Sequence, residues 1–170
     1  MIDPNIERKA DRLLDEAKLK HAPVSLEKLA KVIGVSVRLG PMPDELSGFL
    51  LHTEDGPIVG INSLHSKTRQ AFTFAHECGH FILHPKGNFV DRGFYFRDRR
   101  SAQATDPREI EANQFAAALL MPARLIDSVL KNKSVDIEDE RTVKEFAKLF
   151  GVSPQAFTFR LINLGLAGKA

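Results

Sequence analysis

Apolar positions in the first part of the chain recur at helical spacing. Ile6, Ala10, Leu13, Leu14 and Ala17 fall on one face, Asp3 and Pro4 supply an N-cap and a first helical residue, and Pro23 ends the run. A second amphipathic helix opens at Ser25, carries Leu26, Leu29, Ala30 and Ile33, and closes at Gly34, a residue able to take the left-handed conformation past a helix end. The period then shortens. Residues 35–39, 48–51 and 58–61 read as strands, the last two joined through Thr53, Glu54, Asp55 and Gly56 as a hairpin. Residues 66–83 hold no proline and no interior turn signal before Gly79, which predicts a helix ending ahead of Pro85. Residues 86–105 read as a long excursion with a short strand at 94–96 and a polar stretch at 97–105. Asp106, Pro107 and Glu109 start the next helix, which runs to Leu120 and stops near Met121 and Pro122. Pro122 opens a short helix through Leu130, and beyond the acidic patch at 136–140 two more helices flank Gly151, Val152 and Ser153.

Helices and short strands in this order imply an α+β chain with a small sheet or hairpin packed on the 66–83 helix and a helical pair at the end. We divide it at 1–130 for the main domain and 131–170 for the C-terminal extension. With 170 residues, 43% of them hydrophobic, the chain can bury a substantial core. Its 24 basic and 22 acidic side chains leave a formal charge of +2, too little for a whole-molecule field that would draw it to nucleic acid or an anionic membrane. One cysteine, Cys78, excludes a disulfide framework and fits a reducing compartment. No apolar run approaches the length of a membrane span and residues 1–10 do not resemble a signal peptide, so a cytoplasmic location is expected.

Within the 66–83 helix, His76, Glu77, Cys78, Gly79 and His80 form an HExxH motif. Residues four apart share a helix face, so His76 and His80 can offer two imidazoles to one zinc ion while Glu77 lies beside it, placed to take a proton from a bound water. The neighbouring Ala75, Cys78, Phe81 and Ile82 make this helix apolar and buried, where unpaired histidines and a glutamate would be costly. A catalytic zinc needs a third protein ligand, and the candidates are Glu109, Glu111, His84 and His65. Glu109 and Glu111 stand about 200° apart around a helix and cannot both face one ion. Glu109 sits where a carboxylate folds back onto the Asp106 cap, whereas Glu111 leads into a small-residue surface able to pack closely on the HExxH helix; Glu111 is therefore the expected third ligand. His84 lies two turns, about 12 Å of rise, beyond His76 and reads as a packing or supporting residue. Cys78 points away from the ligand face and reads as a small core residue.

The segments Phe72-Thr73-Phe74-Ala75-His76-Glu77-Cys78-Gly79-His80-Phe81-Ile82-Leu83-His84 and Glu109-Ile110-Glu111-Ala112-Asn113-Gln114-Phe115-Ala116-Ala117-Ala118-Leu119-Leu120-Met121-Pro122 resemble the ImmA/IrrE metallopeptidases, bacterial and phage-associated zinc proteins. The resemblance implies a zincin-like α+β fold, zinc on the two motif histidines and a glutamate of the second helix, here His76, His80 and Glu111, and Glu77 as general base. It also implies cleavage of helix-turn-helix repressors, which relieves repression of stress or mobile-element genes.

Residues 143–165 have a weak helix-turn-helix look, with Lys148 and Arg160 as possible phosphate contacts. Two phosphate contacts carry little affinity, so no direct nucleic-acid role is expected and the pair reads as structural or protein-docking. Two function classes follow. One is a zinc endopeptidase acting on a protein substrate, a DNA-binding repressor; the other is a non-proteolytic zinc-containing regulator or toxin-antitoxin partner. An intact Glu77 favours the enzyme, since a structural zinc site has no use for a general base. Tyr95 is the candidate for a hydroxyl that stabilises the oxyanion, and the hairpin the candidate edge for an extended substrate.

Overall fold

The computed structural model describes residues 2–91, 106–131 and 135–168. Two helices open the chain, α1 (Pro4–Glu16) and α2 (Leu26–Ile33), capped by Asp3 and Ser25 as their sequences require, with Gly34 left-handed at φ 81° beyond α2. Strands β1 (Ser36–Gly40), β2 (Gly48–Thr53) and β3 (Gly56–Asn62) follow, then the long α3 (Lys67–Leu83) and the short β4 (Phe89–Asp91). Helices α4 (Pro107–Leu120), α5 (Ala123–Leu130), α6 (Glu140–Phe150) and α7 (Pro154–Leu164) complete the described elements. The fold is α+β, as the alternation of helical and extended segments implies.

The sheet has the order β1-β3-β2-β4, with β1 parallel to β3 and β2 antiparallel to both β3 and β4. The β2–β3 hairpin therefore lies in the middle. The expectation that it offers the free edge is corrected by β4, which pairs with β2 at Gly48, Phe49 and Leu50; the edges are β1 and β4. A strand was expected inside the excursion, but the described one falls earlier, at Phe89–Asp91, while residues 94–96 and Tyr95 lie outside the described residues.

Helix α3 packs on the sheet and α4 packs on α3, so that Leu50, Val59, Phe74, Phe115 and Leu119 meet in one core. The same apolar cluster takes in Ala147, Phe150 and Phe157 of the C-terminal pair. Arg160, offered above for phosphate, is instead buried. Its two terminal nitrogens donate to both carboxylate oxygens of Glu7 at 2.7 and 2.8 Å, and Nε donates to the Met121 carbonyl at 3.0 Å. The pair ties α7 to α1 and to the end of α4. Because removing one member leaves the other charge buried and unanswered, Glu7→Ala should lower unfolding stability by about 3 kcal/mol in urea denaturation, while the exposed Lys9→Ala should change it by less than about 0.5 kcal/mol.

Candidate metal centre

Helix α3 starts on Ser66, whose hydroxyl accepts from the Arg69 amide, and ends at His84 before Pro85. Residues 72–80 are buried throughout, because one face of this helix meets the sheet and another meets α4. The approach to α4 is set at Gly79. A Cβ added there would sit 3.1 Å from both the Cα and the carbonyl oxygen of Ala112, so the α4 backbone leaves little room for any side chain at position 79.

From Ala112 the geometry of α4 places the other groups. Glu109 is three residues before it and Asn113 directly follows, on the face turned to α3. Glu109 brings one oxygen to 3.2 Å from His76 Nε2 and the other to 3.2 Å from His80 Nε2, while the two Nε2 atoms are 3.0 Å apart. Glu111, two residues on, is rotated away and half exposed, its carboxylate 3.5 Å from His84 Nε2. The structure thus brings Glu109, not the expected Glu111, to the histidine pair. Nor does Glu109 fold back on its cap: Asp106 accepts from Arg108, and the Glu109 carboxylate faces the imidazoles. The other two candidates are also placed elsewhere. His84 faces Glu111, and His65 Nε2 lies 3.2 Å from the Asp44 carbonyl in the loop before β2.

Asn113 was not singled out by sequence, yet its Oδ1 is 3.0 Å from His76 Nδ1. An amide oxygen only accepts, so Nδ1 carries the proton and Nε2 presents its lone pair to the centre. The spacing 109, 112, 113, 116 was the available signal, since it marks one helix face. His80 is held differently, its ring stacked on Phe89 of β4 with centroids 4.0 Å apart and planes 12° from parallel. Burial pushes the His80 imidazole below its ordinary range, opposed by the hydrogen bond to Glu109, so the ring favours the neutral form that ligates metals. Burial alone would raise the Glu109 carboxyl, but the imidazoles of His76 and His80 beside it outweigh burial and hold it far below the usual carboxylate range. Among the described residues, His76, His80 and Glu109 form the group whose ligand atoms converge. Ligands at about 2.0 Å in a tetrahedron stand about 3.3 Å apart, close to the three separations seen, so a tetrahedral divalent cation fits these donors.

Glu77 is fully buried beside this group. The start of β2 presses against it: a Cβ on Gly48 would lie 3.6 Å from Glu77 Oε1 and 2.5 Å from Thr73 Cγ2. The loop leading to Gly48 is pinned by Asn62, whose amide nitrogen donates to the carbonyls of Met42, Pro43 and Leu46. Cys78 is buried on the far side, and burial together with the Glu77 charge pushes its thiol well up, which leaves it an inert packing group. Tyr95 lies outside the described residues.

Residues 30–162 match the family model Peptidase_M78, described as the IrrE N-terminal-like domain. The chain belongs to this family. A relative, "Uncharacterized immunity region protein 2" of Bacillus phage phi105, is 31% identical over 112 residues, which span 66% of this chain and 67% of its own length. A solved "Mycobacterium tuberculosis transcriptional regulator" has the same fold, with a TM-score of 0.62 over 94% of this chain at 19% identity. This chain spans 47% of that protein's length, about half. The IrrE-like assignment and the α+β architecture therefore agree.

Metal content after dialysis tests the donor set. Glu109→Gln should lose bound metal, whereas Glu111→Gln should keep it; the opposite result would move the third ligand back to Glu111. Asn113→Ala should weaken metal affinity about 10- to 100-fold, measured by competition with a chromogenic chelator.

Proposed function

We propose that the protein is a zinc-dependent endopeptidase whose ligands are His76, His80 and Glu109 and whose general base is Glu77. The observation that carries this reading is the convergence of three ligand atoms, with the residue that follows His76 a fully buried glutamate that is not one of the three. A bound zinc would supply a Lewis acid that polarises the scissile carbonyl and acidifies water. Glu77 would accept the proton of the attacking water on a carboxylate oxygen and return it to the leaving amine. Asn113 would keep His76 in the tautomer that presents Nε2, and the ring of Phe89 would keep bulk water from one face of His80. Three protein donors leave a position open for substrate, unlike a closed structural site.

A DNA-binding repressor is the proposed substrate, cut to relieve repression. Support comes from the relative titled as an immunity region protein and the fold neighbour titled as a transcriptional regulator. Such a substrate would be met in the cytoplasm. No helix among the described residues is long and apolar enough to cross a membrane. The competing class, a regulator that binds without cutting, has no use for a buried general base.

Glu77→Gln is nearly isosteric and leaves the three donors in place, so zinc content and thermal stability should match wild type. Cleavage of a repressor encoded beside this gene should fall by about 100-fold or more, since an amide cannot take up the proton. Normal control of the target gene by a zinc-loaded Glu77→Gln protein would overturn the peptidase reading in favour of the binding one.

A further inference from the structure

A second cavity lies at the opposite side of the sheet from β4. It is a gap of about 590 Å³ between α2, the first half of α3 and the inner face of the edge strand β1. Its walls are apolar, formed chiefly by Leu26, Ala30, Val37, Leu39, Ala71 and Phe74. Leu39 is 57% exposed at its rim, although the face it shares with Val35 and Val37 is the one that lines the gap. The gap is open to solvent on one side, and its size is that of a small-ligand site.

The charged groups at the rim are Glu27, Lys31 and Lys67. Glu27 and Lys31 neutralise each other at 2.7 Å. Lys67 has no carboxylate within ion-pair distance among the described residues. Its ammonium meets the Gln70 amide oxygen at 3.4 Å, and the first turn of α3 holds no acidic residue. The amide nitrogen of Gln70 is itself committed to the carbonyls of Ser63 and His65. Among the described residues the cavity therefore presents an apolar body and one positive charge without a carboxylate partner.

We propose that this cavity binds a small amphipathic carboxylate, its aliphatic chain in the gap between β1 and the helices and its carboxylate on Lys67. Both parts are needed: the apolar walls supply the binding free energy and the ammonium selects an anion over a neutral chain. The site stands apart from the metal centre but shares α3 with it, since Phe74 lines the gap two residues before His76.

The probe is sodium decanoate below its micellar concentration, titrated into the full chain by calorimetry and by amide chemical shifts. Saturable binding of one molecule per chain is expected, with shifts at Val37, Leu39 and Ala71. Decan-1-ol should bind more weakly by up to about fivefold, and Lys67→Gln should erase that difference, whereas Lys9→Gln should preserve it. Ala71→Phe fills the gap and should abolish binding. Should that variant fold poorly by circular dichroism, Leu39→Asp, at an exposed position, should also abolish it. Absent or non-saturable binding, equal binding by decan-1-ol and decanoate, or undiminished binding to Leu39→Asp would overturn the proposal. So would an apolar extended peptide that binds along β1 where decanoate does not. All readouts are of binding, so they stand or fall separately from the peptidase reading.

Discussion

The distance between α3 and α4 at Gly79 and Ala112 governs the rest of the centre. Two helices ordinarily pack 8–10 Å apart, with side chains filling the space between axes. Here the absent Cβ of Gly79 lets the α3 backbone approach the backbone of α4 at Ala112, with little slack for a side chain at position 79. Only at that separation can a glutamate one turn before Ala112 span to His76, one turn before Gly79, and to His80, directly after it. Ala75, which shares a face of α3 with Gly79, and Cys78, directly before it, are also small and fully buried.

A centre assembled this way is rich in acceptors. With the His76 Nδ1 proton turned to Asn113, the inward atoms are a lone pair, a second imidazole nitrogen and a carboxylate, all withdrawn from most of the solvent. Such a group is stable when protons or a cation bridge it, and its geometry suits a cation of tetrahedral preference. Burial lowers the tendency of His80 to protonate, which tips that ring from a proton to a metal.

The sheet contributes at both ends. On one side β4 closes the β2 edge and stacks Phe89 on His80, with the Arg108 guanidinium 5.9 Å from the same ring, so strand, helix α3 and the start of α4 meet there. On the other side β1 leaves an apolar gap beneath it. The C-terminal pair stands outside both, joined to the main body by its share of the core and by the Arg160–Glu7 pair.

Local chemistry was legible in the sequence. Asp3, Ser25 and Asp106 cap the helices they precede, and the spacing of His76 and His80 put two imidazoles on one face, because both depend on contacts within one or two turns. The choice between Glu109 and Glu111 could not be made that way. Both lie near the start of the same helix, Glu109 in its first turn and Glu111 one turn in, and cap chemistry argued for keeping Glu109 at home; the face that α4 turns to α3 is decided by Ala112 meeting Gly79, a contact between residues 33 positions apart in the chain. The same holds for the β4 strand that covers the hairpin edge and for Arg160, whose long side chain reads as a surface cation until a partner on α1 is brought to it. Periodicity and capping are properties of neighbours in sequence, whereas these three outcomes depend on which elements touch, and only the packed structure decides that.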